Sequence, residues 1–222
     1  NSEVGHNALG AGRIYDQGAK LVEQAISSGA LFDPANATSA TWRQMTEHVI
    51  ANGSTLHMIG LLSDGNVHSH IAHVERLIAD ADSKGVETIR LHILLDGRDV
   101  SGQSAKIYVA RLDEHLRHFD RDYQIASGGG RMLVTMDRYE ADWAMVDTGW
   151  KAHVLGEGPR WPSAAAAIDD ARTHQPNLND QFIPPFVVEK NGEPVGPVED
   201  GDAVLLFNFR GDRAIELTRA FE

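Results

Sequence analysis

The sequence predicts an α/β protein, a three-layer α/β/α domain with a mostly parallel sheet. Two observations carry that prediction. Short apolar runs such as Leu56–Leu62 and Thr88–Leu95 break at once into polar turns that contain glycine, the pattern of strands buried on both faces. Between these runs lie amphipathic stretches of helical period that stop at a glycine. Strand, turn and helix in repeated succession build a parallel sheet with helices on both sides. No internal repeat, low-complexity tract or linker interrupts the alternation.

The elements follow in order. Residues 16–28 set Ala19, Leu21, Val22, Ala25 and Ile26 on one helical face and stop at Gly29. Residues 31–36 form a loop around Asp33-Pro34, and Ser39 or Thr41 caps a second helix through Trp42, Met45 and Val49 to Gly53. Leu56–Leu62 is the first strand. A helix over 69–84 turns Ile71, Val74, Leu77, Ile78 and Ala81 inward and ends at Gly85. Thr88–Leu95 is the second strand and 104–119 the next helix. Residues 123–127 make a third strand with Gly128, Gly129 and Gly130 as its closing turn; 131–136 is a further strand candidate and 139–155 a helix. Ser163 caps Ala164–His174. Residues 184–190 and 194–199 flank Asn191-Gly192, the signature of a hairpin. A strand over 203–209 passes through Arg210-Gly211-Asp212-Arg213 into a last helix that reaches Glu222.

Bulk properties narrow the function. The 222 residues can bury a sizeable core, and 42% hydrophobic with 23% charged residues is ordinary globular composition. A net charge of −12 argues against nucleic-acid binding, whose affinity comes from neutralising phosphates. No run is long enough to span a membrane. The absence of cysteine removes disulfides and thiolate metal sites and fits a reducing, cytoplasmic setting. Among the 20 cations only five are lysine, and arginine is the residue whose planar fork suits carboxylates and phosphates.

Four predicted strands end in turns that carry histidine or arginine: residues 63–68, 96–99, 128–131 and 208–213. In a parallel sheet these ends share one edge, where open α/β folds bind ligands. His68, Arg98, Asp99, Arg131, Arg210 and Arg213, with Arg138 a little further along, then form a cationic cluster for a small polyanionic, hydroxylated ligand. Asp99 is the carboxylate suited to accept a hydroxyl proton. Taken singly, Arg98 with Asp99 is a salt-bridged turn and Arg210 with Arg213 a solvated helix start; together the four turns favour a site. His68, His70 and His73 resemble a metal cluster, but His70 and His73 fall on a helix and suit capping or surface roles better. The chain opens on Asn1-Ser2-Glu3-Val4-Gly5-His6, where polar and small neighbours make Ser2 a candidate nucleophile. No P-loop or dinucleotide fingerprint is present.

Six blocks carry a family resemblance: NSEVGH at 1–6, SDGNVHSH at 63–70, LDGRDV at 95–100, ASGGGRM at 126–132, MDRYEADW at 136–143 and FNFRGDRA at 207–214. Together, and in this order, they resemble the cofactor-independent phosphoglycerate mutases of the alkaline phosphatase superfamily. The resemblance implies a split metal-binding domain with a transferase domain inserted after the serine motif. Residues 1–15 would then be the edge of the metal domain and its connector, and 16–222 most of the phosphotransferase domain.

The same resemblance implies that Ser2 is both metal ligand and phosphoryl acceptor, and that 3-phosphoglycerate and 2-phosphoglycerate are the substrates. It implies two divalent metal ions, Mn2+ first with Mg2+ or Co2+ as alternatives, no requirement for 2,3-bisphosphoglycerate, and a monomer. His68, Arg98, Asp99, Arg131, Arg138, Arg210 and Arg213 would hold the substrate. The family's other metal ligands lie outside this stretch, so the segment alone is expected to be inactive. A related phosphatase or phosphopentomutase, or a stand-alone anion-binding module, is the alternative.

Overall fold

The computed structural model describes residues 2–13, 16, 18–137 and 139–222, with only the backbone described for 2–4. Helices α1 (Ser2–Ala11), α2 (Ala19–Ser27) and α3 (Ala40–Asn52) lead into β1 (Leu56–Leu62), α4 (Ile71–Lys84), β2 (Thr88–Leu95), α5 (Ala105–Leu116) and β3 (Asp122–Gly130). There follow α6 (Trp143–His153), β4 (Arg160–Trp161), α7 (Ala164–His174), β5 (Phe186–Lys190), β6 (Glu193–Pro194), β7 (Ala203–Leu206) and α8 (Ile215–Phe221). The sheet runs β4-β5-β3-β2-β1-β7, with β6 paired to β5. β1 is parallel to β2 and β7, and β2 to β3, while β5 is antiparallel to β3. No helix among the described residues is long and apolar enough to cross a membrane.

The two faces of the sheet differ in chemistry. Leu56, Met58, Leu62, Ile89, Leu91, Ile93 and Leu95 join α3, α4, α5 and α7 in one large apolar core. On the other face, covered by α6, the apolar cluster shrinks to Leu61, Leu94, Val134 and Met136. There a buried polar chain crosses the strands. His57 Nε2 lies 3.1 Å from Asp202 Oδ2, and His57 Nδ1 lies 2.9 Å from His92 Nε2. His92 Nδ1 is 2.7 Å from Ser127 Oγ, which is 2.7 Å from His153 Nδ1. One proton arrangement satisfies every link. If each ring is neutral, His57 donates to Asp202, His92 to His57, Ser127 to His92 and His153 to Ser127.

Boundaries differ from the sequence expectation where tertiary contacts decide. The run Gly128–Gly130 is not a turn but the end of β3: a methyl group on Gly130 would strike the Gln181 backbone, so only glycine lets that segment pack there. Residues 131–136 are not a strand. Leu133 N–H bonds back to Gly130 O at 2.8 Å and closes a turn. The helix expected over 139–155 starts only at Trp143, because Tyr139 and Glu140 hold φ of 64° and 57° and Asp142 caps Met145 N–H. The hairpin forms with Asn191 and Gly192 both at positive φ, but its second strand is only Glu193–Pro194. The terminal strand stops at Leu206 rather than 209. β4 and α1 were not anticipated.

Burial depresses the proton affinity of these histidines. His153 is pushed down to about 3, and His92 falls well below 6.5 through burial and then its neighbouring rings. The unfolded chain therefore takes up protons near pH 6.5, while the folded chain takes them up only at much lower pH. Stability is complete above about 6.5 and is lost as pH falls. Urea denaturation between pH 7 and 5 is expected to lose about 1.4 kcal/mol per pH unit for each such ring. His92→Gln is expected to flatten that slope; an unchanged slope would remove the buried chain as its cause.

Candidate functional site

β3, β2, β1 and β7 are consecutive, parallel neighbours, so the four turns predicted to share an edge do share one. The chain runs from β1 outward to β2 and β3, then returns to place β7 on the other side of β1. The order reverses beside β1, as at the crevice where open α/β sheets hold ligands.

Arg131, the first residue past β3, lies at the centre with its side chain 2% exposed. Its backbone N–H donates to Leu95 O at 3.0 Å and ties the turn to the end of β2. Its Nη1 donates to Asp96 Oδ1 at 2.9 Å and to Asp99 Oδ2 at 2.6 Å, and its Nη2 to His68 Nε2 at 2.9 Å. A lone guanidinium at this depth would cost several kcal/mol; two carboxylates offset that cost. The Nε of Arg131 is buried with no hydrogen-bond partner among the described residues.

Arg131 can only donate, so His68 Nε2 accepts and the ring proton of neutral His68 sits on Nδ1. That nitrogen lies 3.9 Å from Asp212 Oδ1, too far for a hydrogen bond. Burial first, and the neighbouring Arg131 second, push His68 down to about 4. Arg210 Nη2 pairs with Asp212 Oδ2 at 2.9 Å, and Arg213 donates to Met136 O. Phe209 N–H donates to His68 O at 2.8 Å and joins the β1 and β7 ends. His68, Asp99, Arg131, Arg210, Asp212 and Arg213 thus line one edge as a charge-compensated cluster.

Some expected members stand elsewhere. Arg98 is exposed and makes no ion pair with Asp99, so the expected Arg98–Asp99 salt bridge is replaced by Arg131–Asp99. The Ser2 side chain and Arg138 lie outside the described residues, as does Tyr15 at the expected domain edge. Ser2 does stand as the first residue of α1. His70 caps α4 by accepting from Ala72 N–H at 3.2 Å, and His73 pairs with Glu23 at 2.8 Å.

Three features escaped the sequence reading. Asp96 accepts bonds from four donors within this cluster, Ser63 Oγ, Arg98 N–H, Asp99 N–H and Arg131 Nη1. Its partner Ser63 donates to it at 2.6 Å. The segment 179–183 packs on the turn ends, with Asn179 bonding Gly97 O at 3.1 Å and Ile183 O accepting from Gly130 N–H at 2.8 Å. The one signal for Asp96 was its place at the first position of an Asp-Gly turn, where a short carboxylate bonds the backbone ahead of it.

Fold and site together define an α/β domain with a charge-compensated, arginine-centred cluster at its strand ends. The family model described as the BPG-independent PGAM N-terminus matches residues 22–222. A probable 2,3-bisphosphoglycerate-independent phosphoglycerate mutase of Leptospira interrogans is 54% identical over the whole chain, and the corresponding mutase of Trypanosoma brucei brucei 52%. A crystal structure of Leishmania mexicana phosphoglycerate mutase at low cobalt concentration superposes with a TM-score of 0.93 at 50% identity, covering 100% of this chain. The chain belongs to the BPG-independent phosphoglycerate mutase family, in its N-terminal part. It spans 40% of the length of each of these relatives.

No group of three or more His, Asp or Glu that could hold a metal ion occurs among the described residues. The described residues therefore do not fit the dinuclear metal site that the resemblance implies.

Removing the central cation should expose the cost of the carboxylates it compensates. Arg131→Met is expected to lower the unfolding free energy by about 3–5 kcal/mol in urea denaturation at pH 7. A loss below about 1 kcal/mol, the range of a surface pair, would show that Arg131 does not hold the cluster together.

Proposed function

We propose that the intact protein interconverts 3-phosphoglycerate and 2-phosphoglycerate through a phosphoserine on Ser2, with the strand-end cluster as the pocket for the substrate. The observation that carries this reading is Arg131. A buried guanidinium with an unmet Nε, flanked by a neutral histidine that offers an N–H, is a preorganised anion and hydroxyl receptor. The names of the relatives supply the substrate class, and their description as 2,3-bisphosphoglycerate-independent supports a reaction without that cofactor.

The roles follow from donor and acceptor chemistry. Arg131, Arg210 and Arg213, together with Arg98 and Arg138, neutralise the phosphate and carboxylate of phosphoglycerate. His68 donates Nδ1–H to a substrate oxygen. Asp99 has one oxygen, Oδ1, without a hydrogen bond among the described residues, and it is the group placed to take the proton of a glycerate hydroxyl. The phosphoryl group leaves one glycerate oxygen for Ser2 Oγ and returns to the other oxygen. Planar arginine contacts keep the glycerate in place while it turns.

Two divalent ions, Mn2+ with Mg2+ or Co2+ as alternatives, would activate the serine hydroxyl in the intact enzyme. Residues 1–15 would belong to the metal-binding domain and 16–222 to the transferase domain of a cytoplasmic, monomeric enzyme.

In the intact protein, Ser2→Ala is expected to abolish labelling by phosphorylated substrate, and wild-type labelling would refute Ser2 as acceptor. Arg210→Ala and Arg213→Ala are each expected to reduce turnover roughly 10²–10³-fold. Isomerisation must exceed phosphate release in the same assay; the reverse ratio would make the protein a phosphatase. The 222-residue chain alone is expected to bind 3-phosphoglycerate without converting it.

A further inference from the structure

Asp96 has a role that none of the substrate-facing residues can fill. Its side chain is 1% exposed, deeper than the Asp99 side chain at 14%. Oδ1 accepts from Asp99 N–H at 3.0 Å, from Arg98 N–H at 3.2 Å and from Arg131 Nη1 at 2.9 Å. Oδ2 accepts from Ser63 Oγ at 2.6 Å. A single carboxylate thus joins the ends of β1, β2 and β3 and shapes the turn that presents Arg98 and Asp99. Burial alone would raise its proton affinity. The Asp99 N–H and Ser63 bonds, with Arg131 beside it, outweigh burial and hold Asp96 below the ordinary carboxylate value.

Asp96 and Asp99 both bind Arg131 Nη1, yet they are not equivalent. Among the described residues the Asp99 carboxylate is hydrogen-bonded only to that guanidinium, and it is more exposed than Asp96. An anionic ligand that approaches Arg131 competes with Asp99 first. If Asp99 moved without a second anchor, Arg131 would follow the incoming charge and leave His68. Asp96, fixed by two backbone N–H groups and a hydroxyl, cannot follow.

We infer that Asp96 is a positioning residue, the fixed counter-charge that keeps Arg131 on His68 while Asp99 exchanges its place with a ligand anion. It touches no substrate and acts through Arg131. The inference rests on the reading of the strand-end cluster as the phosphoglycerate pocket, and it adds a residue that the pocket's own surface does not display.

The discriminating variant is Asp96→Asn, which keeps an Oδ1 acceptor for the two backbone N–H groups, removes the charge, and puts an NH2 in place of Oδ2 from which Ser63 Oγ can accept. Ser63→Ala serves as a milder second variant, since it frees Asp96 Oδ2 without touching Arg131. Two readouts on this chain are needed. The first is the titration of His68 by NMR, a ring faced by Arg131, Asp212, Arg210 and Asp99. The second is calorimetric affinity for 3-phosphoglycerate, with inorganic phosphate as a further probe.

Asp96→Asn is expected to raise the His68 midpoint, because Arg131 withdraws toward Asp99, and to weaken 3-phosphoglycerate binding at least tenfold while the chain stays folded by circular dichroism. Ser63→Ala is expected to shift both in the same direction by less. Mere loss of a nearby negative charge would leave the His68 midpoint where it is or lower it, and that result overturns the proposal. Unaltered affinity in a folded Asp96→Asn chain overturns it as well. If the wild-type chain binds no 3-phosphoglycerate, the substrate reading fails, while the His68 titration still decides whether Asp96 positions Arg131. If Asp96→Asn does not fold, the Ser63→Ala titration decides the matter by the same sign.

Discussion

The structure depends on one constraint: a guanidinium has been placed almost wholly out of bulk water. Arg131 sits at the end of a central strand with its charge spread over Asp96, Asp99 and His68. A buried cation of this kind costs several kcal/mol unless its partners are close and themselves satisfied. That demand propagates. Asp96 needs backbone and hydroxyl donors, which fixes the β2 turn and brings in Ser63 from β1. His68 must offer a lone pair, which fixes its tautomer and keeps it neutral. The geometry of three strand ends follows from satisfying one side chain.

Around this cluster the sheet divides its labour. The face packed against α3, α4, α5 and α7 is almost wholly aliphatic and supplies the cohesion of the domain. The opposite face carries His57, His92, Ser127 and His153 in a directed hydrogen-bond chain anchored on Asp202. Such a chain is stabilising only while every member is satisfied and uncharged. It suits a sheet whose register has to be kept at the site, since a slip of one residue would break each link. The segment 179–183 closes the same edge from the β5 side by packing on glycines where no side chain would fit.

Much of this was legible in the sequence, for identifiable reasons. Leu56–Leu62 and Thr88–Leu95 were read to the residue because both faces of these strands are buried, so their apolar runs end where burial ends. Convergence of His68, Asp99, Arg131, Arg210 and Arg213 followed from parallel topology alone. What was missed depended on tertiary contact. The glycines of 128–130 read as a turn because local propensity says so, whereas they are strand residues made necessary by Gln181 and Phe186. The pairing of Asp99 was not legible either: its partner is Arg131, 32 positions away, while its sequence neighbour Arg98 is exposed. The histidine chain joins residues up to 145 positions apart, and each of its members looks like an ordinary strand or helix residue when read singly.

The central claim is that the arginine-centred strand edge is where phosphoglycerate sits. It is tested most directly by a crystal structure of this chain with 3-phosphoglycerate. The account predicts that the ligand's phosphate or carboxylate oxygens lie about 3 Å from the guanidinium groups of Arg131, Arg210 or Arg213, with Asp99 displaced from Arg131 and Asp96 still bonded to it. Ligand found instead in the cavity of about 330 Å³ between Asp113, Phe119, Tyr123 and Pro162, where β3 begins, would contradict it.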